Sequence, residues 1–411
     1  MPVIATLGAA SVRGFSGFYA TTVISGNNWI AKAGQYLNET TFDGTDSLYS
    51  IGTSGLVIKT ASDGSATWKE TVTTGGLAIT FTKIKTVSPT EIYATGYYFS
   101  ANNIPLFFVL NSDGSVASAR SITTRGTFEG LTISNVGVVY ASGYMNTISG
   151  GSTSRSHYFI ISNGSVVTKR YYGSSSELNS NFIGFGSPDS AYIVNSNSPL
   201  LVKINSSFLV FWKALSSSVI PIACVELNND LYVVGQYTVG SLLLVVKLNA
   251  LTGAFVWART LSSTTSALCV AVDNFSNVYI GGRTSSDGVI LKVDSSGNLV
   301  WQRRVSIGVT SRIRSISVDT ATDTIYALCS PNSTVNNYSF ILSLPTNGSL
   351  TGTYSVGGTS VTYSSTSETL NTVTPTFSSP AFSFSTSSLL DASRVTTVDA
   401  ATPSYDLITL P

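Results

Sequence analysis

The sequence predicts an all-β fold, a seven-bladed β-propeller of four-stranded antiparallel blades with non-repeat N- and C-terminal arms. Three observations predict it. Residues 267–304 break into four short apolar runs rich in Val, Ile, Leu and Tyr, separated by turn-forming Asp, Asn, Ser and Gly, and no run is long enough for a typical helix. A Tyr on the second run recurs as Tyr49, Tyr93, Tyr140, Tyr192, Tyr232, Tyr279 and Tyr326 at steps of 40 to 52 residues, the spacing of propeller blades rather than of the roughly 20- to 34-residue solenoid repeats. The Trp marking the fourth run, present as Trp68, Trp212, Trp257 and Trp301, has a surplus copy, Trp29, ahead of the first Tyr. Such a strand can complete the sheet of the last repeat and close the ring, which hides the faces an open array leaves wet.

In chain order, residues 1–28 are a weakly patterned arm, 29–358 the propeller and 359–411 an extended arm. The third strands fall at 56–59, 106–110, 158–161, 200–204, 242–248, 289–293 and 340–344. Polar hairpins such as Ser62-Asp63-Gly64 follow them. Fourth strands without Trp are expected at 116–119, 166–169 and 350–354. In the Trp-bearing version, Leu299 and Trp301 on one face and Val300 on the other allow packing on both sides. The longest loop is expected at 142–156. Beyond 359 the Tyr register stops, and in this Ser/Thr-rich stretch a short helix is expected at 387–395.

Charged residues are 10% of the chain and the net charge is +1, which provides no field for nucleic acid or an anionic membrane. The mean hydropathy of +0.26 comes from strand-length runs, none near the roughly 18 to 20 apolar residues of a membrane helix. The first 18 residues lack a basic region followed by an apolar one, so neither a signal peptide nor membrane insertion is expected. Cys224, Cys269 and Cys329 are an odd number set among apolar residues, which suits buried thiols.

Chemistry is sparse. The single histidine, His157, excludes a His-based metal cage within one chain, and no Gly-x-Ser-x-Gly elbow is present. Asp273 with Asn274 and Asn277, and Asp294 with Asn298, gather oxygens, but one carboxylate per turn falls short of a calcium shell. Strand alternation puts Lys83 with Lys85 and Arg312 with Arg314 on common faces. First strands line a propeller's central channel, so these pairs form either a basic mouth for an anion or glycan or solvated strand ends. The candidate binding residues are Tyr144, Asn146, Ser154, Arg155 and His157 around the longest loop, with Arg312 and Arg314. No catalytic or metal-binding residue and no cofactor is assigned.

Residues 267–304 resemble the unit of the seven-bladed β-propeller repeat family, which reads roughly as Ile-Ala-Val-Asp, Val-Tyr-Val-Thr-Gly, Phe-Val-Ala-Lys-Leu-Asp and Leu-Val-Trp strands. The resemblance spans about residues 29–358, with the Trp missing from repeats two, three and seven, and it implies a fold rather than an activity. Residues 62–68 are similar to the Asp box of sialidase-type propellers, Ser-x-Asp-x-Gly-x-Thr-Trp, but here Asp63 and Gly64 are adjacent, as in an ordinary hairpin. The opening Met-Pro-Val-Ile-Ala-Thr-Leu-Gly-Ala-Ala-Ser-Val-Arg-Gly-Phe resembles the start of structural proteins of tailed phages. That resemblance implies a non-enzymatic virion protein of the tail, fibre or attachment apparatus, present in several copies. Its partners would be other virion proteins, through residues 1–28 and 359–411, and a host surface glycan or protein. The alternatives are a surface or secreted carbohydrate-binding propeller, and a propeller hydrolase or lyase built on His157.

Overall fold

A computed structural model describes residues 28–409 except 123–124, 135–136, 147–153, 163–164, 173–179, 187–189, 196–199, 206, 208–209, 217, 265, 334, 377–384, 387–390, 394–396 and 401–404. Within 146–189, 195–200, 208–215, 263–264, 385–405 and 408–409 it describes the backbone alone.

Strands account for nearly all regular structure among the described residues; a short 3-10 turn, Thr53–Gly55, is the exception. Among the described residues the strands fall into four-stranded antiparallel units at 37–74, 77–122, 126–172, 180–215, 219–264, 266–306 and 311–345, the last completed from the N-terminus, with units one and two joined in one sheet through Thr73 opposite Ala78. In unit six the order is Ser266–Val272, Val278–Arg283, Gly288–Val293, Leu299–Ser306. First strands of neighbouring units touch in sequence, and that of unit seven touches that of unit one, so the ring closes. Closure is covalently offset. Trp29–Ala33 pairs antiparallel with Ser339–Pro345 as the fourth strand of unit seven, the role its surplus Trp predicts.

The core lies between units, because one sheet has two apolar faces and no partner within itself. Leu48, Leu56 and Ile58 of unit one pack with Trp29, Tyr326 and Ile341 of unit seven. Tyr49 and Ile51 pack with Phe81 and Phe108 of unit two, and the same layering joins units five and six. The seven register tyrosines are all buried on second strands. In four units the Tyr is opposite a Lys, which is in turn opposite a Trp: Tyr49–Lys59–Trp68, Tyr192–Lys203–Trp212, Tyr232–Lys247–Trp257 and Tyr279–Lys292–Trp301. The ammonium groups of Lys59, Lys247 and Lys292 sit 5.4, 5.5 and 5.0 Å from their tyrosine ring centres, within cation–π range.

Each described Trp is also a clasp to the next unit. Trp68 Nε1 donates to the Ser112 carbonyl at 3.0 Å, Trp257 to Ser295 at 3.1 Å, Trp301 to Thr346 at 2.9 Å and Trp29 to Ser62 at 2.8 Å. Every acceptor lies in the turn that follows the third strand of the next unit, and Trp29 makes that link across the closure. The fourth strand of unit six packs on both sides, but not with the residues its pattern suggests: Leu299 lies against the core shared with unit five and Trp301 against the core shared with unit seven. Val300, skipped by the register between them, is 52% exposed.

The C-terminal segment departs furthest from expectation. Residues 350–354 are not the fourth strand of unit seven, since Trp29–Ala33 already holds that place. Instead Gly352–Val356 and Thr359–Ser365 form a hairpin, and Thr359–Ser365 pairs with the outer strand of unit six. Leu370–Val373 then adds to unit five, Ser385–Thr386 to unit three, Asp391–Ser393 to unit two, Thr397–Ala400 to unit one and Tyr405–Thr409 to unit seven. The segment is a strap that runs backwards round the rim, antiparallel to each fourth strand it meets. The helix expected at 387–395 gives way at Asp391–Ser393 to a strand, because an open sheet edge supplies backbone partners that a three-residue helical turn cannot match.

Candidate functional site

Alternating strand direction decides which turns share a face of the ring. The starts of the first strands lie with the second-to-third hairpins, here called the entry face; the other two sets of turns lie opposite. All seven candidate residues fall on the entry face. Tyr144, Asn146, Ser154, Arg155 and His157 belong to the second-to-third hairpin of unit three, and Arg312 and Arg314 to the start of the first strand of unit seven. Units three and seven are on opposite sides of the channel, so the fold does not join them into one cluster.

The expected loop at 142–156 is mostly strand. Val139–Asn146 pairs with Ser154–Ser162, placing Gly143 opposite His157, Met145 opposite Arg155 and Asn146 opposite Ser154. His157 therefore lies within a ladder rather than at a loop end; period-two pairing carries it on past the Gly- and Ser-rich tip. That tip, 147–153, is outside the described residues, as are the side chains of Asn146, Ser154, Arg155 and His157. Tyr144 is half-buried.

A β-bulge interrupts the first strand of every unit near the same register position, as between Leu37 and Glu39, Phe81 and Lys83, Phe128 and Gly130, and Ile313 and Ser315. The residues inserted there, including Asn38, Thr82, Glu129, Ile222, Leu268 and Arg314, are half-buried. On the innermost strands they wall the channel, apolar in units five and six and polar across units seven, one, two and three. Bulges re-aim side chains in this way.

The two basic pairs differ in their partners. Lys83 and Lys85 lie 3.9 and 3.2 Å from a carboxylate oxygen of buried Glu39 on unit one. The second Glu39 oxygen accepts the Ile84 N–H at 2.7 Å, so one carboxylate bridges both ammonium groups and offsets one of their two charges. Arg312 and Arg314 have no such acid: among the described residues neither forms an ion pair. Both guanidinium groups donate to the Tyr36 hydroxyl, Arg312 at 3.3 Å, and Arg314 stacks 4.9 Å from the Tyr36 ring centre. That hydroxyl donates onward to the Pro331 carbonyl at 3.1 Å. Burial lowers the Arg314 pKa from its ordinary value, with Tyr36 opposing and the Arg312 charge adding to the shift. Both are half-buried rather than solvated strand ends.

Sequence reasoning passed over four residues here. Tyr36, Gln35, Glu39 and Glu129 carry no local motif, and Tyr36, Glu39 and Glu129 meet their partners on other units. Burial pushes Glu129 up to about 7, with Lys83 opposing. Beside the mouth, Gln236, Ser241, Arg283, Thr284, Thr310 and Asn332 line a polar groove of about 230 Å³ across units five to seven, where Arg283 Nη1 donates to Asn332 Oδ1 at 3.2 Å.

The turn aspartates are occupied by their own turns. Asp273 accepts from the Phe275 and Asn277 amides, the Asn277 side chain and the Tyr279 hydroxyl, and Asp294 from Ser296 and Asn298. Among the described residues no group of three His, Cys, Asp or Glu is placed to hold a metal. The three cysteines are free; burial raises the Cys269 and Cys329 thiols to about 12 and raises Cys224 as well.

Solved structures similar to this chain are β-propellers. Virginiamycin B lyase from Staphylococcus aureus matches with a TM-score of 0.56 at 11% identity, covering 76% of this chain and 96% of the lyase. The WD40 β-propeller domain of Doa1 matches at 0.53 and 12%, covering 75% and 92%, and the C-terminal WD40 domain of Sif2 at 0.52 and 8%, covering 76% and 97%. No family model and no curated protein sequence matches the chain. The class is thus an all-β antiparallel propeller. At these identities the likeness is one of fold, and it extends to lyases and WD40 scaffolds alike.

Proposed function

We propose that this chain is a non-enzymatic structural component of a tailed-phage virion, in the tail, fibre or attachment apparatus, using the propeller as an interaction platform. One observation carries the platform reading: the ring is sealed twice, by the Trp29–Ala33 strand and by the strap that pairs with the outer strands of six units. A rim sealed this way holds the two faces rigid and leaves the entry face, with the unit-three hairpin, as the contact surface. The virion setting is supported by the resemblance of residues 1–15 to phage structural proteins. Docking to neighbours then runs through residues 1–28 and the outward edge of the strap, 359–411, with a host glycan or protein as the other partner.

Mass spectrometry of purified virions from the source phage tests the setting: the chain is expected as a stoichiometric component, and its absence from particles would sink the reading. Deleting residues 150–154 tests the contact surface, with weakened host adsorption by intact particles expected. A lyase reading draws on one neighbour, since a catalytically inactive histidine-to-alanine variant of virginiamycin B lyase has been solved with quinupristin. In this chain it would rest on His157, and turnover of a glycan or of quinupristin that is lost in His157→Ala would favour it.

A further inference from the structure

We propose that Arg312 and Arg314, held in place by Tyr36, bind the carboxylate of an acidic sugar at the entry mouth of the channel, the sugar ring lying in the adjoining groove of Thr310 and Asn332. The first support is charge. Two guanidinium groups share one hydroxyl acceptor, and no carboxylate pairs with either among the described residues. Like charges held together away from water are unfavourable unless a counter-charge completes the arrangement. The chain supplies an acid partner to Lys83 and Lys85 through Glu39, and to Arg304 through Asp287 and Glu368, whereas among the described residues none pairs with Arg312 or Arg314.

The second support is unused hydrogen-bonding capacity. The Nε–H groups of Arg312 and Arg314 are buried without a partner. Buried donors in native structures are nearly always paired. The planar guanidinium matches a carboxylate in a two-point geometry that a neutral ligand cannot use. Tyr36 holds the Arg314 plane by stacking, and its hydroxyl is already committed to Pro331, so the pair is fixed before a ligand arrives.

The third support is the groove. Thr310 immediately precedes the strand that carries Arg312, and the Asn332 amide donates to the Thr310 carbonyl at 2.7 Å. Its volume of about 230 Å³ is below the ~300 Å³ of drug-sized clefts and suits a single small group. Amide and hydroxyl side chains line it, each able to donate and accept as sugar hydroxyls require. The proposal builds on the entry face as the contact surface, but its chemistry is independent of the virion setting.

Calorimetric titration of the full chain with glucuronate, glucose and inorganic sulfate at constant ionic strength tests it. Saturable glucuronate binding is expected, with glucose at least roughly tenfold weaker, the factor a charge-assisted hydrogen bond supplies. Arg312→Gln and Arg314→Gln should each weaken glucuronate by a similar factor while glucose is unchanged. Should Arg314→Gln fail to fold, Arg312→Gln, checked by circular dichroism, carries the test alone. Glucuronate binding no tighter than glucose, or unaltered in folded Arg312→Gln, overturns the site. Sulfate binding tighter than glucuronate overturns the sugar carboxylate as its ligand. Glucuronate binding by a chain absent from virions would leave this site standing and remove the virion reading.

Discussion

At the level of single residues, Glu129 puts a carboxylate that titrates near neutrality into the channel wall. Its ordinary value is 4.5, and burial lifts it to about 7. Between those values the folded state holds a proton that the unfolded chain has released, so stability falls as pH rises through that window. Glu129→Gln removes the titration. Its melting temperature is therefore expected to match wild type near about pH 4 and to exceed it progressively toward about pH 8; a difference that does not change with pH would refute the assignment. The same scale shows what could be read beforehand. Alternation places Lys83 with Lys85, because strand periodicity is local, whereas Arg314 is the residue inserted at the bulge and meets Arg312 at the Tyr36 hydroxyl through it. That Glu39 pairs with both lysines while, among the described residues, no acid pairs with either arginine was not legible. Glu39 and Ile84 are 45 residues apart and meet on different units, and no local pattern records which unit faces which.

At the level of elements, the Trp register was legible and its purpose only half so. Recurrence marks blade packing, but the glycines of the turns after the third strands do more than shape those turns. Gly64, Gly114, Gly297 and Gly348 have φ of +86°, +88°, +84° and +66°, and a Cβ on each would meet the Trp of the preceding unit at 2.6, 3.1, 3.0 and 2.7 Å. Turn and clasp are one device. The glycine is needed both for the left-handed backbone and for the indole that lies on it. Trp257→Ala is expected to destabilise by about 3 to 5 kcal/mol. Gly297→Ala should cost more than the ~1 kcal/mol of an unfavourable φ. In the double variant the Gly297 penalty should shrink toward that value, since the indole it collides with is gone. Denaturant unfolding of the four proteins measures the coupling, and strict additivity would show that turn and Trp act separately. The missed elements at 350–354 and 387–395 share one cause. Strand addition at a rim is decided by where an open edge lies, which is a property of the assembled ring and not of the added segment.

At the level of the whole molecule, the strap solves the problem that radial sheets pose. Each unit ends in an outward strand whose free N–H and C=O groups would template pairing with another chain. The strap covers that edge in units six, five, three, two, one and seven. Its two ends meet: Gly352–Val356 touches Tyr405–Thr409, Lys32 is opposite Asp406, and Lys32 Nζ donates to the Gly357 carbonyl at 2.7 Å and the Thr359 hydroxyl at 2.9 Å. The first hairpin also buries Val356, Val361 and Tyr363 against Trp301 and Val305, which anchors it by apolar area as well as by ladder bonds. A chain ending at residue 351 removes all of this while leaving the first three strands of each unit intact. It is expected to melt at lower temperature and to associate in a concentration-dependent way through the exposed edges. Hydrogen exchange should rise in outer strands such as Val116–Ile122 and Leu299–Ser306, while first strands such as Ser311–Asp319 stay protected, because openings begin where ladder bonds face water. Unchanged exchange in those outer strands would mean that the strap rests on the rim without holding it. Loss of protection in the first strands as well would mean that the ring opens as one unit, with Trp29–Ala33 unable to close it alone.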